Sequence, residues 1–161
     1  MHIPPDVQIL AAIQTGSVYY FEDSAINSPE PHYYVVLNKS PRTEEFLILL
    51  CASSRVEKRQ RIANLLGFVP ETLVVLQPGE YPLFKKETVI DCNKAFEKST
   101  QTLIDKLQNG QLKICTELMP SAIVERLVSG VLASTQVTVQ VQDMLAPVPV
   151  EVEVATESIK E

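Results

Sequence analysis

Phe46-Leu-Ile-Leu-Leu-Cys-Ala-Ser-Ser54 is the stretch from which the rest of the chain can be read. Its first six residues are apolar without a break. That is too short for a bilayer span and too continuous for a strand with one wet face, so the run predicts a strand covered on both sides at the centre of a sheet. The hydroxyls of Ser53 and Ser54 follow, and then the charges of Arg55, Glu57, Lys58, Arg59 and Arg61. Polar groups held at the end of a rigid strand are a natural place for a site. Two readings of this junction stay open: a nucleic-acid or small-ligand contact at Ser53, Ser54 and Arg55, or simply a capped helix start.

Upstream, Ser17-Val-Tyr-Tyr-Phe21 and His32-Tyr-Tyr-Val-Val-Leu-Asn38 are aromatic and β-branched, hence two further strands, separated by a proline-containing loop over 22–31. With the central run they predict an antiparallel meander. Asp6 to Thr15 is expected to form a short helix capped by Asp6, with Val7, Leu10, Ala11 and Ile13 on its inner side and Gly16 as its stop.

Downstream, Arg55 to Gly67 predicts a helix with a basic face, Thr72 to Leu76 a strand, Tyr81 to Phe84 an extended edge piece, and Thr88 to Asn93 the last strand of the body. Ser99 or Thr100 is a cap for a helix through Gln108, and Pro120 opens a longer helix with Ile123, Leu127, Val128, Val131 and Leu132 on one side. Val137 to Val141 alternates as a strand would, and Met144 to Glu161 reads as an acidic, weakly ordered tail that could lie along the basic stretch Arg55–Arg61. The expected organisation is an N-terminal helix or arm over 1–15, a domain over 16–142 and the tail over 143–161.

The 161 residues fit one such body, and 45% of them are apolar. A net charge of −6 and a pI near 5.0 argue against coating nucleic acid by bulk charge, so binding of that kind needs a local basic patch. The three cysteines are far apart and the two histidines stand near the N-terminal third, which leaves no zinc spacing and predicts no metal and no cofactor. No stretch reaches membrane-spanning length, and the N-terminus lacks the basic region of a secretory signal, so a cytoplasmic protein without a membrane partner is expected.

Four segments together resemble the PemK and MazF family of plasmid-maintenance toxins: Gly16 to Phe21, His32 to Asn38, Phe46 to Ser54, and Lys86 to Asn93 with the turn at Gly110-Gln-Leu112 and the helix after Met119. The resemblance covers roughly residues 16–133 and is carried by weak motifs. It implies an α+β fold that is mainly β, a small SH3-like antiparallel barrel with a C-terminal helix. It also implies a metal-independent endoribonuclease acting on single-stranded RNA, a homodimer and an antitoxin-like protein partner. Where the family carries an Arg-Cys-Asp triplet, this chain has Asp91-Cys92-Asn93. The cation and acid are absent there, so a rearranged catalytic set of Asp91, Arg55 and His32 is one expectation, with Ser53, Ser54, Arg55, Lys58, Arg59 and Asn93 binding nucleic acid. The other is a catalytically inactive barrel kept as a protein- or nucleic-acid-binding module. For His32 the plain alternative is a solvated residue at a strand start, and for the basic residues the wet face of a helix.

Overall fold

A computed structural model describes residues 2–23 and 30–147. The chain forms α1 (Pro5–Ala12), β1 (Val18–Phe21), β2 (His32–Val36), β3 (Phe46–Ser53), α2 (Val56–Leu66), a 3-10 turn (Pro70–Thr72), β4 (Leu73–Leu76), β5 (Thr88–Ser99), α3 (Thr100–Gln108), β6 (Leu112–Cys115), α4 (Ser121–Ala133) and α5 (Val139–Leu145). The six strands make one antiparallel sheet in the order β4-β5-β3-β2-β1-β6. β3 lies in its interior with Leu47, Ile48, Leu49 and Leu50 all at 0% exposure, as an unbroken apolar strand requires. The meander β1-β2-β3 is present in the expected register. The sheet is open among the described residues: β4 and β6 are its edges and do not pair with each other.

Helices cover both faces. Ile123, Val124, Leu127 and Val131 of α4, with Val141 and Leu145 of α5, pack on Val18, Val35, Ile48, Leu50 and Ile90. Ile9 of α1, Ile13, and Leu103 and Ile104 of α3 pack on Tyr19, Phe21, Tyr34, Leu47 and Leu49 of the opposite face. The period-two alternation along each strand therefore feeds two separate cores.

Several elements depart from expectation, each for a visible reason. α1 stops at Ala12, Asp6 does not cap it, and its inward residue is Ile9, while Val7 and Leu10 are exposed. Ile9 and Ile13 set the inner side because Ile13 continues into the core after the helix has ended. Val137 to Val141 is not a strand: the Thr138 hydroxyl accepts from the Val141 amide and starts α5, which buries Val141 and Leu145 one helical turn apart. Helix α5 also takes in Asp143 to Leu145, which were expected in the tail; positions 148–161 lie outside the described residues. Tyr81 to Phe84 is a tight turn closed by Phe84 N–H to the Tyr81 carbonyl, 2.9 Å, with both rings buried. The Ser99 cap of α3 is present, its hydroxyl accepting from the Thr102 amide.

The largest irregularity sits in β5. Leu50 pairs with Ala95, but Ala52 pairs with Ile90, so residues 91–94 bulge opposite Cys51. The bulge is held by side chains. Asp91 Oδ1 accepts from the Asn93 backbone N–H (2.9 Å) and from Asn93 Nδ2 (3.0 Å). Asn93 Nδ2 also donates to Thr72 Oγ1 (2.9 Å), and Asn93 Oδ1 accepts from Ser134 Oγ (2.7 Å). One buried amide thus joins β5, the 3-10 turn and the end of α4. Immediately beside it, α4 approaches β5 through Gly130: a Cβ there would lie 2.6 Å from Cys92 Sγ and 2.8 Å from the Glu71 carbonyl oxygen.

Candidate nucleic-acid interface

Strand direction brings the ends of β1 and β3 and the starts of β2, β5 and β6 to one end of the sheet. Tyr34 pairs with Cys51; two residues further the same register sets His32 level with Ser53, and Ser53 pairs with Val89. His32, Ser53 and Val89 form a row across three adjacent strands, which separates His32 from β5 by about 10 Å. Ser53 Oγ accepts from the Arg55 N–H at 3.2 Å, a local turn that ends the strand and starts α2 one residue later. Arg55 occupies the cap position with no side-chain bond closing it. Its guanidinium and those of its neighbours therefore face solvent.

Of the residues in α2 only Val56 and Ala63 are buried, so the helix presents nearly all of its circumference to water. Arg55, Lys58 and Arg61 are exposed and Arg59 is half-buried. Glu57 does not neutralise them, since among the described residues the one ion pair is Lys98 with Asp23, 2.8 Å. Arg59 and Lys94 both come near enough to the Cys51 thiol to favour its ionised form, although burial outweighs them and pushes its pKa from 9.0 up to about 12. Lys94, projecting from the bulge, thereby joins the basic surface. Nothing in its sequence context marked it; only the four-residue bulge turns it toward Arg59.

The expected site residues divide into two groups. His32, Ser53, Ser54, Arg55, Lys58 and Arg59 share one end of the molecule. Asp91 and Asn93 do not join them as free groups: Asn93 is 7% exposed with its amide committed to Thr72, Asp91 and Ser134, and Asp91 holds the bulge. His32 Nδ1 donates to the Glu30 carbonyl at 2.9 Å, which leaves Nε2 as the ring atom open to a partner. The distances provide no direct hydrogen bond between His32 and Asp91.

Asp23, 4% exposed, is carried across the sheet face and anchored by Lys98 of β5, fixing the chain where it leaves β1. Cys92 is, like Cys51, pushed to about 12, mainly by burial and then by the Asp91 carboxylate. In an unfolded chain these thiols ionise near 9.0, so folding holds them neutral. Their contribution to stability is full below that value and is lost as pH rises through the folded pKa. Denaturant midpoints are therefore expected to fall between about pH 9 and pH 12, and the Cys51→Ser and Cys92→Ala variants to flatten that fall. An unchanged slope in both variants would sink the assignment.

No family model and no curated protein matches the chain. Among the described residues no helix is long and apolar enough to cross a membrane, and no three His, Cys, Asp or Glu side chains gather as a metal site.

Proposed function

We propose that the protein is a nucleic-acid-binding module of PemK and MazF-like descent, contacting single-stranded RNA through Ser53, Ser54, Arg55, Lys58, Arg59 and Lys94 rather than cutting it. The observation that carries this reading is the unneutralised basic surface of α2 on a chain of net charge −6. Cations concentrated on one element attract phosphates where the rest of the surface repels them. The commitment of Asp91 and Asn93 to the bulge supports binding without catalysis. In this reading the antiparallel strands around β3 and the helix α4 correspond to the family's small SH3-like barrel and its final helix, opened at β4 and β6. A two-fold dimer, a cytoplasmic setting and an antitoxin-like partner competing for α2 belong to the same proposal.

Fluorescence anisotropy with labelled oligo(U) in chelator tests it. The Arg55→Glu/Arg59→Glu variant is expected to bind at least about tenfold more weakly, and the slope of log K against log salt to shrink by about 1.4, two phosphate contacts at about 0.7 each. An unaltered salt slope would remove α2 from the interface.

A second reading, metal-independent endoribonuclease, is favoured by His32 standing level with Ser53 beside Arg55. There the His32 Nε2 would take the 2′-hydroxyl proton as the 2′-oxygen bonds to phosphorus, the bond to the 5′-oxygen breaks, and that oxygen is protonated from water. Arg55 would hold the phosphate charge. Cyclic-phosphate products in chelator, abolished in His32→Gln with RNA affinity retained, would establish it in place of the first. Intact RNA after prolonged incubation would leave the binding module alone.

A further inference from the structure

At the same end of the sheet, but beyond β1 and away from α2, a cleft of about 570 Å³ opens between the end of β1, Pro31, the end of α3 and the start of β6. Its size suits one mononucleotide. Six side chains define it: Tyr20, Glu22, Pro31, Lys106, Gln111 and Lys113. The Tyr20 ring is fixed against Tyr33, centroids 4.5 Å apart, and offers with Pro31 a flat apolar wall. Lys106 is positioned rather than free: its ammonium donates to the Glu22 carbonyl at 3.1 Å and rests 5.7 Å above the centroid of the Phe21 ring. One of its three donors is used, and two remain. Lys113, exposed on the edge strand β6, lines the same opening. The Glu22 and Gln111 side chains are exposed polar groups at the rim.

We propose that this cleft binds a nucleoside monophosphate unit. The base stacks on Tyr20 and Pro31, the phosphate is held between Lys106 and Lys113, and the Glu22 carboxylate accepts from the ribose hydroxyls. An aromatic wall with two ammonium groups at one rim and a carboxylate at the other matches this division into flat, anionic and hydroxyl-bearing parts. The unit comes either from a free mononucleotide or from one residue of a single strand. The site does not depend on α2 and stands or falls separately from the binding module proposed there.

Calorimetric titration of the full chain with UMP, uridine and inorganic phosphate, each alone, tests the assignment. UMP is expected to bind with a Kd of about 1 mM or tighter, and uridine and phosphate each at least about tenfold more weakly, since each lacks one half of the recognised unit. Lys113→Gln, a change at an exposed position, and Tyr20→Leu are each expected to weaken UMP at least about fivefold, a loss of about 1 kcal/mol. Thermal unfolding of Tyr20→Leu identifies any general loosening, and Lys113→Gln keeps the test decisive if that occurs. Repeating the UMP titration in Arg55→Glu/Arg59→Glu is expected to leave its Kd unchanged. Competition of UMP with oligo(U) in wild type assigns the unit to a strand, and its absence to a free nucleotide; both are forms of the same site. No heat with UMP, phosphate binding as tightly as UMP, or Lys113→Gln binding like wild type each overturns it.

Discussion

Asn93→Ala is expected to lower the stability of the protein by about 3 kcal/mol, the sum of three buried hydrogen bonds at about 1 kcal/mol each. For a chain of this length that corresponds to a fall in Tm of roughly 6–12 °C. The side chain of Asn93 donates to Thr72 and Asp91 and accepts from Ser134. Its removal strands a hydroxyl on α4 and loosens the bulge that Asp91 alone then closes. Asn93→Asp should be worse at neutral pH. It sets a carboxylate against Asp91 Oδ1, where an amide now donates at 3.0 Å. One of the two carboxyls then takes a folded pKa above its unfolded value of about 4. Its contribution is present below that value and lost as pH rises, so the Asp variant should regain stability on acidification while the Ala variant does not. Urea denaturation at several pH values measures both. A loss below about 1 kcal/mol in Asn93→Ala would mean that water replaces the amide and that the residue is not the joint between these elements.

Gly130→Ala is expected to cost about 2–3 kcal/mol, against the ordinary trend. Alanine is the better helix former by about 1 kcal/mol, and most Gly to Ala changes inside a helix stabilise. Here the new methyl lies 2.6 Å from Cys92 Sγ, 3.0 Å from Cys92 Cβ and 2.8 Å from the Glu71 carbonyl oxygen. The thiol has one rotatable bond with which to yield, and the carbonyl belongs to backbone, so α4 must be lifted off the sheet along its length. Cys92→Ala in the same background removes one of the three contacts. The double variant should be more stable than the two single losses predict, by about 1 kcal/mol of coupling. Additive losses would locate the strain at Glu71 alone.

The central strand was legible because its burial on both faces writes itself as an unbroken apolar run, and the meander because aromatic and β-branched residues alternate between clear turns. The helix caps at Ser99 and the stripe of α4 were legible for the same local reasons. What sequence did not reveal depends on contacts between distant segments. Val137 to Val141 alternates like a strand, yet Thr138 and the packing of Val141 and Leu145 against α4 make it a helix. Leu112 to Cys115 is four residues long and is a strand only because β1 offers an edge. The Asp91-Cys92-Asn93 triplet looked like a displaced catalytic set because nothing in three residues reports a four-residue bulge. That bulge turns Asn93 inward to Ser134, 41 positions away. Ser53, Ser54 and the basic start of α2 were found from the abrupt change of polarity after Cys51, whereas Lys94 and the cleft around Tyr20 and Lys113 are products of topology.

The pairing of β1 with β6 carries a consequence for biosynthesis. Val18 to Phe21 meets its outer neighbour only when Leu112 to Cys115 has left the ribosome, and the upper apolar face of the meander waits longer still for Val141 and Leu145. At about 5–20 residues per second the nascent hairpins spend several seconds with one greasy face uncovered. Closure over so long a loop is also slow in itself. A pulse-labelled translation with stalled lengths should find protease resistance arising late and at once, after the final helix emerges, and a dependence on holdase chaperones before that point.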